Sequence, residues 1–369
     1  MIQVELVREY PIRPDFWSSW RELADGIPMR QPEWLLSWWE EYSPRDAELY
    51  LLAAYEAGAL VGLVPCYRLR ADRQIRFLGD GEVCTDYTGI LVSAAQESNT
   101  IEAALADWLL SHSLDHDLGW STLYWEGIPK SDAVTRRVYS QLALHGCTTL
   151  ERNAMNTWCI DLEDGWDGYL ARSSKDTRKR LRRRAASLAD VQIRRVESEQ
   201  DWDRFYPILI DLHQKRRKSL GEPGCFVDMQ FTSFLQRASL RLLPLGQLQA
   251  VCLERDGQPL AADIGFRSRS HWFVYQGGIE PSALELEPGK MLNVWTLANA
   301  PSHGITAIDF LRGDEPYKKQ LKADPHPIED LWVARPGWKG ATQKWLWQSK
   351  QLIASTAKSL YQTLPGNKP

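Results

Sequence analysis

Apolar positions recur at helical spacing over residues 15–24 and again over 32–42, where Pro32 opens the segment and Trp34, Leu35, Trp38 and Trp39 line one flank. The period then drops to two. Glu48–Tyr55 and Ala59–Leu69 alternate on either side of the turn Glu56-Ala57-Gly58, the pattern of a β-hairpin. Short strands are expected at Arg76–Leu78 and Thr88–Val92 around a glycine-rich turn, Gly79-Asp80-Gly81. A helix over Ile101–Ser111, a strand at Ser121–Trp125, a helix over Ser131–His145 stopped by Gly146, and a strand at Thr157–Leu162 complete the first half.

The second half repeats that order. Helical periodicity covers about 166–172, a basic segment reaching Leu188, Trp202–Arg217 and Phe231–Ala238, with a strand at Val191–Val196. Three strands then follow in a meander: Gln247–Glu254, a turn at Asp256-Gly257, Gln258–Arg267, a turn at Ser268–Ser270, and His271–Gln276. A helix at 288–300 and a strand at Ala307–Leu311 come after it. Early helices, a hairpin, a helix and a strand in each half predict a mixed α/β fold made of two copies of one unit, each an open central sheet flanked by helices. The expected division is 1–155 and 156–340, with the basic helix 172–189 in the second unit. Residues 341–369, with Trp345, Trp347 and Leu352, form an amphipathic tail helix in this reading.

The chain has 369 residues, 44% apolar and 25% charged, the balance of a soluble globular protein with room for two domains. A net charge of -4 excludes a generally basic nucleic-acid binder but leaves a local basic surface open. The 17 tryptophans, Trp34, Trp38 and Trp39 among them, suit either a flat aromatic groove or buried helix anchors. Six scattered cysteines (Cys66, Cys84, Cys147, Cys159, Cys225, Cys252) show no metal-ligand spacing. No run of eighteen uncharged apolar residues and no signal-peptide core occurs, and the expected setting is the reducing cytoplasm.

Four segments carry candidate chemistry. In Arg172–Arg184 eight of thirteen residues are basic, so like charges crowd one helix unless an anion lies against it. The alternative is a solvated helix offset by acidic neighbours. Leu181, Ala185, Leu188 and Ala189 give that helix an apolar stripe. The second segment, Asp309-Phe310-Leu311-Arg312-Gly313-Asp314-Glu315-Pro316-Tyr317-Lys318, ends a strand in a charged loop, where functional groups gather in open α/β sheets. Asp309 needs a partner if buried, with Arg312 or Lys318 at hand, and the loop reads equally as an ion-pair network. Third, Pro288-Gly289-Lys290 starts a helix directly after the meander, and a helix start has free amides for an anion. Fourth, Gly277-Gly278 after Tyr275 either lets a ligand approach backbone amides or marks a bulge. His213 reads as a capping or surface residue, with a catalytic histidine as the alternative, and Asp86 and Tyr87 form the comparable polar loop of the first half. No nucleophile elbow, P-loop, dinucleotide fingerprint or zinc signature is present. The chemistry that remains is transfer between two bound partners, dependent on orientation and a modest base.

Residues 247–320, above all Pro288-Gly289 and Asp309–Lys318, resemble the GNAT-related acetyltransferase domain of the cellulose-biosynthesis (CelD/BcsL-type) family, which is similar in turn to Fem-type aminoacyl transferases. The segment Lys175–Arg184 resembles that family's arginine-rich helix. Leu60-Val61-Gly62-Leu63-Val64-Pro65 and Phe77-Leu78-Gly79 with Asp86-Tyr87 resemble its first-half pattern, and the likeness spans about 15–335. It implies tandem GNAT-like folds, an acyl group carried on acetyl-CoA or another acyl-CoA, or else on tRNA, and an amine or hydroxyl of a polar, saccharide- or peptide-linked acceptor. On this chain it implies a base at Asp309 or Asp314, with Arg312, Tyr317 and Lys318 beside it. Phosphates would meet Pro288, Gly289, Lys290, Arg178, Arg182 and Lys318, and amides at Gly277 and Gly278 would polarise the carbonyl. No metal is implied. The chain departs from the family where Lys319-Gln320-Leu321-Lys322 replaces the usual basic residue and Trp-Gly, where Glu287 replaces a serine, and in lacking a glycine-rich arginine loop. A non-catalytic module that binds an anionic polymer or a partner enzyme of polysaccharide biosynthesis is the other reading.

Overall fold

The computed structural model describes residues 1–94 and 99–337; the expected tail helix lies outside the described residues. The first half runs β1 (Gln3–Val7), α1 (Pro14–Leu23), α2 (Pro32–Tyr42), β2 (Ala47–Glu56), β3 (Ala59–Leu69), β4 (Gln74–Phe77), β5 (Leu91–Val92), α3 (Thr100–Ser111), β6 (Thr122–Pro129), α4 (Ala133–Leu144) and β7 (Thr148–Asp161). Two connecting helices follow, α5 (Gly165–Arg172) and α6 (Lys175–Ala186). The second half runs β8 (Gln192–Arg195), α7 (Glu199–Ser219), α8 (Met229–Leu242), β9 (Leu248–Arg255), β10 (Gln258–Arg267), β11 (His271–Ile279), α9 (Pro288–Asn299), β12 (Ala307–Arg312), α10 (Pro316–Gln320) and β13 (Asp324–Ala334). With the short β5 set aside, the two orders coincide element for element. The basic helix α6 stands between the repeats.

Local sequence accounts for many element ends. Proline opens α1, α2, α9 and α10, where its missing N–H costs nothing. Asp132, Ser174, Ser198 and Asp228 cap α4, α6, α7 and α8 by accepting a first-turn amide.

The strands form one sheet in the order β1-β2-β3-β4-β6-β13-β7-β12-β11-β10-β9-β8. The repeats have exchanged their last strands. β7, which ends the first, pairs with β12 of the second, and β13, which ends the second, lies between β6 and β7. The boundary expected near 155 therefore falls inside one continuous strand.

One hydrophobic cluster spans both halves. Trp34 of α2 is fully buried and meets Phe234, Phe266 and Tyr275 of the second half edge-on, with ring centroids 4.8, 5.0 and 5.2 Å away. Trp38 is buried with it. Trp34 is an anchor between the halves, and with both tryptophans buried the aromatic-groove alternative falls away for them. Across the sheet, α9 packs Met291, Leu292, Val294 and Leu297 against β9, β10 and β11.

Candidate active site

β11 and β12 run parallel and pair at only three positions, His271–Phe273 with Ala307–Asp309. Beyond them the strands part, and no described strand pairs with β11 from Val274 to Ile279 on that side. The parting has a local cause in β12. Leu311 takes a left-handed conformation (φ 55°), and the register against β7 shifts between Asp309 and Arg312, a bulge that turns the strand end away.

The charged strand end builds that bulge. Asp309, 1% exposed, accepts the Leu311 amide at 2.6 Å through Oδ1, and its other oxygen accepts the hydroxyl of Tyr87. Burial pushes the Asp309 carboxyl up to about 7, although both of these hydrogen bonds favour its ionised form. Lys318 is 2% exposed, and its ammonium donates to the carbonyls of Leu311, Arg312 and Gly313 at 3.2, 3.0 and 3.0 Å, with Glu315 at 2.9 Å. Arg312 pairs with Asp86 of the first half: Nε lies 2.5 Å from Oδ1, the Arg312 amide donates to Oδ2 at 2.9 Å, and Nη2 donates to the Thr85 carbonyl. The partners expected for Asp309 are corrected accordingly. They are Tyr87 and a backbone amide, and Arg312 and Lys318 have work of their own. A phosphate-binding role for Lys318 is corrected too, because its donors are spent on carbonyls inside the fold. Asp314 is exposed, and Oδ1 accepts Trp158 Nε1 at 3.0 Å and, more weakly, Asn156. Tyr317, 37% exposed, sets its ring edge-on to Phe310 at 5.8 Å.

The glycines of β11 are closed by neighbours. A Cβ on Gly278 would lie 2.3 Å from the His213 backbone nitrogen, so α7 crosses the strand there at backbone contact. A Cβ on Gly277 would meet Asp263 Oδ1 at 2.3 Å, and the Gly277 amide donates to its neighbour Gln276 at 3.1 Å. The expectation that both glycines open their backbone to a ligand gives way to close packing.

Asp263 went unnoticed in the sequence, where it sits among the apolar residues of β10. It faces the α9 side of the sheet, opposite Gly277, and burial pushes its carboxyl up to about 7. Burial also raises the Tyr317 phenol, with Glu315 and Asp263 as the charges that add to the effect.

At the start of α9, Glu287 is the left-handed residue before Pro288 (φ 52°). Its carboxylate pairs with Lys290 and with Arg184 of α6, which together hold it down at about 2. The negative charge of Glu287 is thus offset in part from the basic helix. Gly289 lets α9 approach Ile279, whose Cδ1 would lie 2.6 Å from a Cβ there. On α6, Leu181 is buried and Arg184 is tied to Glu287. Arg178 and Arg182 have no acidic partner among the described residues.

His213 is 1% exposed, which corrects its reading as a surface residue. Its Nδ1 lies 2.9 Å from the Gly277 carbonyl, and its Nε2 lies 3.4 Å from the sulfur of Cys225. All six cysteines are free thiols. No described helix is long and apolar enough to cross a membrane.

Residues 172–319 match the family model of the acetyltransferase (GNAT) domain. The fold is similar to the crystal structure of FemX, with a TM-score of 0.58 at 11% identity over 80% of this chain and 90% of that one. It is also similar to a conserved protein of unknown function from Bacteroides thetaiotaomicron, with a TM-score of 0.54 at 11% identity over 90% of this chain and 100% of that one. A domain named for a lysylphosphatidylglycerol synthetase of Agrobacterium fabrum gives 0.51 at 10% identity over 90% and 94%. No curated protein matches the sequence. The chain has a tandem GNAT-like fold, and the match to the GNAT domain model falls on residues 172–319.

Proposed function

We propose that the protein is an acyltransferase that takes an acyl group from acetyl-CoA or another acyl-CoA and delivers it to an amine or hydroxyl of a polar acceptor. The observation that carries this reading is the free edge of β11 beside the diverging β12, with the start of α9 and the basic helix α6 at the same end. A thioester supplies an activated acyl group, and the residues present suit its carrier. An extended amide-bearing arm can pair with an unpaired strand edge, and phosphates can lie near Arg178, Arg182 and Lys290. Pairing with Arg184 offsets the charge of Glu287, which would otherwise repel them.

Within this reading the strand-end residues divide into two groups. Asp309, Arg312 and Lys318 are positioning residues that hold the strands apart. Tyr317 and Asp314 remain reachable from solvent. Titration calorimetry with acetyl-CoA is the test. Saturable binding is expected, and the double variant Arg178→Glu/Arg182→Glu should bind about tenfold more weakly with an unchanged melting curve. Absence of binding at millimolar acetyl-CoA would sink the acyl-CoA reading.

One observation favours a second donor, an aminoacyl-tRNA. Lys175, Lys179 and Arg183 of α6 are exposed without acidic partners among the described residues, more cation than one cofactor requires. Filter retention of tRNA that weakens steeply with salt, alongside no binding of acetyl-CoA, would select that donor.

A further inference from the structure

On its α7 side, the free edge of β11 carries a cysteine–histidine pair that the acyl-transfer reading leaves without a task. His213 Nδ1 sits 2.9 Å from the Gly277 carbonyl oxygen. A carbonyl can only accept, so Nδ1 holds the ring hydrogen and Nε2 presents a lone pair. Aimed at that lone pair are both the amide and the thiol of Cys225, each at 3.4 Å. The side-chain amide of Gln276 donates to the same sulfur at 3.4 Å. Phe226 meets the imidazole edge-on at 5.0 Å and fixes its plane. Cys225 is partly exposed whereas His213 is sealed, so the sulfur is the reachable end of the pair.

Two of these contacts tie the pair to the candidate site itself. Gln276 and Gly277 belong to the stretch of β11 that β12 leaves unpaired, and they hold the sulfur and the imidazole respectively. The sulfur therefore stands beside the edge along which the acyl carrier would lie. Burial pushes the Cys225 thiol up to about 11 and lowers the imidazole, so the pair rests as thiol and neutral imidazole. Arg217, Glu222 and Asp228 are the charges around it.

We propose that Cys225 is a nucleophile that accepts the acyl group, with His213 as its base, so that transfer proceeds through a thioester on the protein. The proposal rests on the acyl-transfer reading above. In the first displacement the Cys225 sulfur bonds to the acyl carbon, its proton passes to His213 Nε2, the carbon–sulfur bond to coenzyme A breaks, and the departing thiolate takes that proton. One thioester replaces another, so no oxidant or energy source is required. In the second displacement the acceptor's nitrogen or oxygen bonds to the acyl carbon, its proton passes to Nε2, and the Cys225 thiolate leaves and is reprotonated. The Gln276 amide faces the sulfur throughout and favours it when charged.

The test uses the full chain with acetyl-CoA and no acceptor, quenched in acid and weighed by intact-protein mass spectrometry. Close to one acetyl group per chain is expected, on Cys225 by peptide mapping, removable with neutral hydroxylamine as a thioester is and an amide is not. Cys225→Ala should abolish it with an unchanged melting temperature, and His213→Gln should slow its formation by about a hundredfold or more. Acetyl-CoA that binds by calorimetry yet leaves Cys225 unmodified overturns the covalent route and spares the acyl-transfer reading. A label on another residue does the same. No binding at all overturns both.

Discussion

Asp263 and Asp309 illustrate how one residue type takes two roles from its surroundings. Both carboxyls are pushed up to about 7 by burial, but Asp309 is held by the Tyr87 hydroxyl and the Leu311 amide while Asp263 has neither. A carboxyl with a raised value is neutral below it and charged above it. As pH climbs through about 7, Asp263 gains a negative charge close to where an anionic donor would lie. Acetyl-CoA affinity should therefore fall about fivefold between roughly pH 6 and pH 8, the effect of about 1 kcal/mol of repulsion. Asp263→Asn should bind equally at both ends of that range. Titration calorimetry of the two proteins at each pH decides it, and a matching fall in the variant would count against Asp263. The sequence marked Asp309 as unusual because a charge inside an apolar strand demands a partner. It could not name that partner, since Tyr87 lies 222 residues away. Asp263 is likewise a lone acid among apolar residues, but nothing in the sequence shows that it is buried without such partners.

At the scale of elements, the end of β12 is a small machine for bending a strand. Lys318 gathers three successive carbonyls, and Asp309 holds the amide of the left-handed Leu311. Lys318→Met keeps the bulk but leaves those carbonyls short of donors, and it should destabilise the protein by about 2–3 kcal/mol in denaturant unfolding. Any loss of activity would then track stability and leave the salt dependence of acetyl-CoA binding unchanged. A steeper loss of binding at low salt would instead restore Lys318 as a phosphate contact. Most elements were legible from periodicity: the hairpin of β2 and β3, the meander of β9 to β11, and the proline-opened helices α1, α2 and α9, whereas α10 lies in what reads as a charged loop. β13 was not, because Pro325 and Pro327 and its acidic residues argue against a strand. It pairs along its length with β7, and that contact outweighs its composition. β7 was expected from Thr157 but begins at Thr148, since its polar start is extended only by pairing with β13.

The whole molecule is joined at three levels: the continuous sheet, the aromatic cluster around Trp34, and the clips Tyr87–Asp309 and Asp86–Arg312. The second clip is a buried ion pair, with side-chain exposures of 15% and 1%. Removing one partner strands the other's charge, so Asp86→Asn should cost about 3–5 kcal/mol. The double variant Asp86→Asn/Arg312→Met should recover part of that loss, and urea unfolding of the three proteins measures it. Equal stability of Asp86→Asn and the parent would mean that the clip contributes nothing.

The exchanged strands also bear on the order in which the chain can fold as it is made. A nascent chain offers its first repeat long before its second, and domains ordinarily fold in that order. Here the neighbour of β6 is β13, and its last residue is number 334. Until that segment emerges, β6 presents an unpaired edge, and β7 can pair with β12 on one side only. The first repeat must wait with an open flank until residues 324–334 are made, and a chain cut short before residue 324 would keep the β7–β12 pairing and the clips but leave β6 and the facing edge of β7 bare.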